Sequence, residues 1–189
     1  MNFTKFNIAE FFAFIRILTF PVILLFILLE WRMITAWSYI ILWSTDVLDG
    51  FFAHLFKKET IKRVNLDSYG DISFLVVGLI GMYVFERNFV LNHLEWIIAV
   101  VAGYVLQLIV SLLKFKQKTN FHTVLAKIAA VFQVVFISWT FFFRPLEWLF
   151  YLTVLISMLE VIEEIAITLI IKKLKFDIFG IWHWNKIKK

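Results

Sequence analysis

The chain has 189 residues, of which 62% are hydrophobic, 19% aromatic and 17% charged, and its formal net charge is +5. A soluble domain is about a quarter charged, so this balance excludes a water-exposed surface, and it is the reverse of what a disordered chain requires. Six glycines and two prolines exclude collagen-like and linker-rich architectures, and the lack of cysteine excludes a disulfide scaffold, a thiolate zinc site and a cysteine nucleophile.

A membrane span needs about 20 mostly apolar residues. Met1–Glu10, with Phe3 and Phe6, reads as a short interfacial segment. Phe11–Leu29 is the first span, with Arg16 near its start and Pro21 inside. It is too long for a signal peptide, and no small-residue cleavage site follows it. Ile34–Phe56 is the second span and is interrupted by Asp46 and Asp49. Ile72–Phe85 is the third and takes its first turns from Asp67–Asp71. Leu94–Leu113, Val124–Phe143 and Glu147–Ile171 complete the set. The tail 176–189 mixes Phe179, Trp182 and Trp184 with lysines, which suits a basic interfacial segment. The expected fold is therefore all-α, a single polytopic membrane domain over residues 1–189 with six transmembrane helices.

Loop charge sets the orientation. One set of connections carries Lys5; Lys57, Lys58, Lys62 and Arg63; Lys114, Lys116 and Lys118; and Lys172, Lys173, Lys175, Lys186, Lys188 and Lys189. The opposite set carries only Arg32, Arg87 and Arg144. Both termini are thus expected in the cytoplasm. The positive charge reads as topology and attraction to anionic headgroups, not as nucleic-acid binding.

Ionisable residues inside spans are costly and mark function by default. Asp46 and Asp49 are three apart and share a helix face, which Gly50 and Ala53 continue. Asp67 and Asp71 are four apart and share a face of the next helix. A ten-residue connection, Lys57–Leu66, makes the two helices antiparallel neighbours, with the four carboxylates converging near the cytoplasmic surface. Four carboxylates side by side need compensating charge. Oxygen-only ligands favour magnesium, manganese or calcium, and such clusters bind and activate phosphate groups.

The segment from Asp46 to Asp71 resembles the signature of the CDP-alcohol phosphotransferase family, D-x2-D-G-x2-A-R-x8-G-x3-D-x3-D. All four aspartates, Gly50 and Ala53 match at the right spacing. Arg16 falls where family members often carry an arginine, and Lys127 and Gln133 resemble a G-K-x5-Q stretch of the fifth span. Two positions depart: His54 stands for the family's arginine and Arg63 for its glycine. The resemblance implies that Gly50, Ala53, His54 and Arg63 lie beside the CDP moiety. It implies that Asp46, Asp49, Asp67 and Asp71 hold a pair of Mg2+ or Mn2+ ions, and that Asp71 is the general base. It also implies a homodimer.

The expected activity is that of a CDP-alcohol phosphatidyltransferase of phospholipid synthesis. A small polar alcohol receives the phosphatidyl group of CDP-diacylglycerol and CMP leaves, at the cytoplasmic face of the inner or plasma membrane. Arg16, Lys127, Gln133 and Glu160 are the acceptor-side candidates. Within the family the roles can be exchanged, with a CDP-linked polar alcohol as donor and diacylglycerol as acceptor. Outside it, the aspartates could serve a small ion-coupled carrier or a non-catalytic family member. Of the remaining charges, Lys127 also suits snorkelling. Glu160 reads as buried, with Glu164 four residues on facing the same way, Glu163 reads as the membrane edge of the last span, and His93 as an edge or loop residue. An arginine at 63 returns the positive charge lost at 54, from the opposite helix. Arg63→Gly is accordingly expected to weaken CDP-donor binding, and unchanged or tighter binding in a donor titration would refute the exchange.

Overall fold

The computed structural model describes the backbone of residues 8–56, 61–116, 119, 121, 123–171 and 180, and the side chains of these except for residues 8–17, 46–56 and 61–72. Seven helices make up the described chain: α1 Ile8–Leu28, α2 Arg32–Phe56, α3 Ile61–Phe85, α4 Arg87–Asn92, α5 Leu94–Phe115, α6 Val124–Phe142 and α7 Glu147–Ile170. No strand occurs among the described residues. Residues 1–7 and, apart from Gly180, the tail 176–189 lie outside them.

Each expected span corresponds to a helix, but two boundaries differ. α1 starts at Ile8, so the helix of the first span begins three residues before Phe11, within the segment read as interfacial. α3 starts at Ile61, eleven residues before the apolar run at Ile72, so the ten-residue connection is not observed. Apolar length measures bilayer thickness, whereas lysine and arginine propagate a helix well past that edge. The short α4 has no counterpart in the sequence reading.

Among the described residues, two helices, α5 and α6, are long and apolar enough to cross a membrane by length and composition. α7 shows the same solvent by another route. Its exposed face carries Trp148, Tyr151, Leu155, Leu159, Ile162 and Leu169, while its buried face includes Thr153, Ser157, Glu160, Glu164 and Thr168. A helix in water has the opposite arrangement. Apolar residues outside and polar residues inside are what a hydrocarbon surround selects.

The chain divides into two compact units, one formed by residues 1–87 with 137–144, the other by residues 88–136 with 145–189. In the first unit, α1 packs on both α2 and α3. The α1–α2 turn is a Schellman closure: the Trp31 N–H donates to Phe26 O at 3.0 Å and the Glu30 N–H to Ile27 O at 3.0 Å. Glu30 occupies the left-handed position, φ 56°, where glycine is usual. The Trp31 ring stacks on Phe26, with centroids 5.9 Å apart, supplying the apolar contact of that motif.

Arg32 follows the turn directly. Its guanidinium donates to Phe141 O at 2.9 Å, to Thr140 O at 2.6 Å, to Phe143 O, and to Glu86 Oε1 at 2.6 Å. The last carbonyls of a helix have no partner within it, and here a side chain from the start of α2 satisfies those of α6. One cation thereby ties together the start of α2, the end of α3 and the end of α6.

In the second unit, α5 packs on α7. Thr123 caps α6, accepting the Ala126 N–H at 3.1 Å. Phe121, Ile167 and Ile171 form a buried cluster, with Phe115 and Ile170 against it. Lys114 Nζ donates to Leu169 O at 2.7 Å, near the end of α7. His93 lies in the turn between α4 and α5, at the edge of the span as expected, and is buried there. Its Nδ1 lies 2.9 Å from Phe89 O, and its ring stacks on Phe89 with centroids 4.3 Å apart.

Hydrogen bonds from a charged donor contribute about 1.5–3 kcal/mol where buried and less where water competes. Arg32→Ala is therefore expected to cost about 2–3 kcal/mol, read as a lower unfolding midpoint in detergent micelles. Glu86→Gln, which keeps an acceptor, is expected to cost much less. Equal losses from the two variants would show that the carbonyl contacts contribute little.

Candidate functional site

The expected metal ligands stand on two helices of the first unit. Asp46 and Asp49, with Gly50, Ala53 and His54, are on α2; Arg63, Asp67 and Asp71 are on α3. Arg16 is on α1. The side chains at these positions lie outside the described residues, while the helical backbone through them is continuous. Among the described residues, no group of three or more His, Asp or Glu could hold a metal ion.

The described half of the α2–α3 pair shows how these helices meet. Thr35, Tyr39 and Leu42 form the buried face of α2. The Tyr39 ring stacks on Phe74 of α3 with centroids 3.9 Å apart and planes inclined by 23°. Phe141 meets the same ring edge-on at 5.4 Å. The Tyr39 hydroxyl faces Gly78, where a methyl group would sit 2.8 Å from its oxygen. Gly81 gives Phe141 the same access one turn on, since a methyl there would lie 2.6 Å from Phe141 Cζ. The two glycines are thus seats for aromatic rings from α2 and α6. At the far end, the Arg32–Glu86 pair joins the two helices again.

The second unit holds a seam of polar side chains. Gln133 Nε2 on α6 donates to Tyr104 Oη at 2.8 Å and to Ser157 Oγ at 2.9 Å. Tyr104 is in turn hydrogen-bonded to Glu160. One turn along, Gln107 Nε2 donates to Glu164 Oε2. Glu160, Glu163 and Glu164 are 5%, 7% and 3% exposed, and each has an interaction partner. Helix α7 runs on past Glu163 and Glu164 to Ile170 and turns all three carboxylates inward, where a hydroxyl receives Glu160 and an amide Glu164.

Of the acceptor-side candidates, Gln133 and Glu160 thus belong to one hydrogen-bonded seam, and Lys127 is exposed on the first turns of α6. Sequence reasoning passed over Tyr39, Tyr104, Gln107 and Ser157. A signal for Tyr39 exists. Thr35, Tyr39, Leu42, Asp46, Asp49 and Ala53 repeat at alternating spacings of four and three, as do Asp67, Asp71, Phe74, Gly78 and Gly81. That is the period of a helix–helix seam.

The model of the family described as CDP-alcohol phosphatidyltransferase matches residues 6–162, from before the start of α1 into α7. No curated protein and no solved structure matches the chain. The matched region contains the four aspartates, Gly50 and Ala53, on the helices just described. Its family transfers a phosphatidyl group from a CDP-alcohol at a membrane. With lipid-facing apolar stripes, inward polar faces and this match over most of its length, the chain is a membrane protein that belongs to the CDP-alcohol phosphatidyltransferase family.

Proposed function

We propose that the protein transfers the phosphatidyl group of CDP-diacylglycerol to a small polar alcohol and releases CMP, at a centre built on α2 and α3. Helical register is the observation that supports this reading. Asp46 follows Tyr39 by seven residues on α2, and Asp67 and Asp71 precede Phe74 and Gly78 by seven residues on α3. Seven residues make nearly two turns, advance about 10 Å and return to almost the same face. The Tyr39–Phe74–Gly78 contact, carried one heptad toward the connection, thus comes to the level of Asp46, Asp67 and Asp71. Asp49 follows three residues later on the same face. Arg32 and Glu86 fit the same antiparallel register at the opposite end.

The donor set fits two divalent cations, because it consists of four carboxylates, suits Mg2+ or Mn2+, and needs positive charge to stay ionised. Asp46, Asp49, Asp67 and Asp71 would hold them. When bound, the ions neutralise the diphosphate and the charge on departing CMP.

The chain's own residues supply the rest. Asp71 takes the proton of the acceptor hydroxyl, whose oxygen forms a new bond to the lipid-side phosphorus as the bond to CMP breaks. Gly50 and Ala53 leave room for the nucleotide, and His54 and Arg63 bring positive charge to it. Arg16, Lys127, Gln133 and Glu160 serve the acceptor side. In this reading α1, α2, α3, α5, α6 and α7 are six spans, both termini are cytoplasmic, and the centre faces the cytoplasm of the inner or plasma membrane. Loop charge supports that orientation. The protein acts as a homodimer.

The test is CMP release by purified protein in mixed micelles with CDP-diacylglycerol and a panel of polar alcohols. Release should require Mg2+ or Mn2+, yield a new lipid, and fall by about two to four orders of magnitude in Asp71→Asn. Release that persists in chelator, or in Asp71→Asn, would refute the mechanism. Activity only with CDP-linked alcohols and diacylglycerol would reverse donor and acceptor.

A further inference from the structure

Tyr39 is completely buried in the first unit, and its hydroxyl makes no hydrogen bond among the described residues. Burying a hydroxyl without a partner costs about 1–3 kcal/mol. A phenylalanine would fill the same ring volume, stack on Phe74 and meet Phe141 edge-on without that cost. Packing energy therefore calls for the ring and not for the oxygen.

The oxygen extends the ring toward the backbone of α3, into the space that a side chain at position 78 would occupy. A methyl there would be 2.8 Å from Tyr39 Oη and 2.8 Å from Ile137 Cδ1. The isoleucine methyl can move aside by a rotamer change. The tyrosine oxygen cannot, because its ring is held between Phe74 and Phe141. Gly78 and the Tyr39 hydroxyl are thus a matched pair that fixes how closely α2 approaches α3.

From this we infer that Tyr39 is a positioning residue for the cation site, its hydroxyl on Gly78 setting the α2–α3 spacing one heptad from the aspartates. The inference rests on the assignment of Asp46, Asp49, Asp67 and Asp71 as cation ligands. A site of this kind needs its donors held to within about 0.5 Å, and the contact lies only about 10 Å along the same two helices.

The experiment is a Mn2+ titration of the full chain in detergent micelles, following free Mn2+ by electron paramagnetic resonance, with thermal unfolding alongside. Tyr39→Phe should unfold at the same or a higher temperature yet bind Mn2+ about tenfold more weakly, the size of effect expected from loss of an outer-shell support. Gly78→Ala should also bind weakly. The double variant should bind more tightly than Gly78→Ala alone, because the methyl no longer meets the oxygen. A purely structural role moves stability and affinity together and gives no such recovery. Tyr39→Phe affinity within about twofold of the parent, or strictly additive effects, would overturn the inference. If Asp46→Asn still abolishes Mn2+ binding in that case, the site assignment stands and only the role of Tyr39 falls. A parent protein that binds no Mn2+, or an Asp46→Asn variant that binds as well as the parent, overturns both.

Discussion

Hydrocarbon offers no hydrogen bond, so a polar group at membrane depth that finds no partner inside the protein is costly. That constraint accounts for the all-helical chain, whose backbone groups pair along each segment. It also accounts for the direction in which side chains point. Leucine, isoleucine and tryptophan cover the outside of α2, α5 and α7, while hydroxyls, amides and carboxylates turn inward. Helix ends are the weak places, since their last carbonyls have no partner of their own. Arg32 receives those of α6, Lys114 reaches Leu169 near the end of α7, and Glu30 accepts a left-handed backbone to close α1.

The two units meet the constraint differently. In the second, polar groups satisfy one another: amide to hydroxyl, hydroxyl to carboxylate, along α5, α6 and α7. In the first, the α2–α3 seam changes character along its length. Toward one end it is aromatic and glycine, packed by a stacked ring and two close approaches. Toward the connection the same helical positions become aspartates. The seam thus begins as aromatic packing, and the same periodic positions continue as aspartates in the sequence.

Much of this was legible in the sequence. The six long helices follow from apolar runs, and the family from six positions spaced over the segment 46–71. The start of α3 was not, because charged residues such as Lys62 and Arg63 end an apolar run without ending a helix. Glu163 was read as a membrane edge because charge alone marks a boundary only when no partner waits inside. Its burial depends on an inward face of α7 that composition does not reveal. His93 was placed at a span edge, where it stands, but its burial was not legible for a similar reason: its environment comes from Phe89 and from Phe150, which is distant in sequence. Tyr39 looked like one more aromatic residue. Its heptad spacing from Asp46 becomes informative only once Phe74 and Gly78 are known to lie against it.

The inward carboxylates of α7 bear on how the chain enters the bilayer. Taken alone, a helix with three carboxylates in one stretch is a poor substrate for the insertion machinery, at a cost of about 3 kcal/mol for each ionised group near its middle. Tyr104 and Gln107 on α5 precede α7 in the chain, and they offer Glu160 and Glu164 hydrogen bonds that lipid cannot. Polar partners on α5 thus lower the cost of burying the carboxylates of α7, and that helix depends on the earlier one for its place in the second unit.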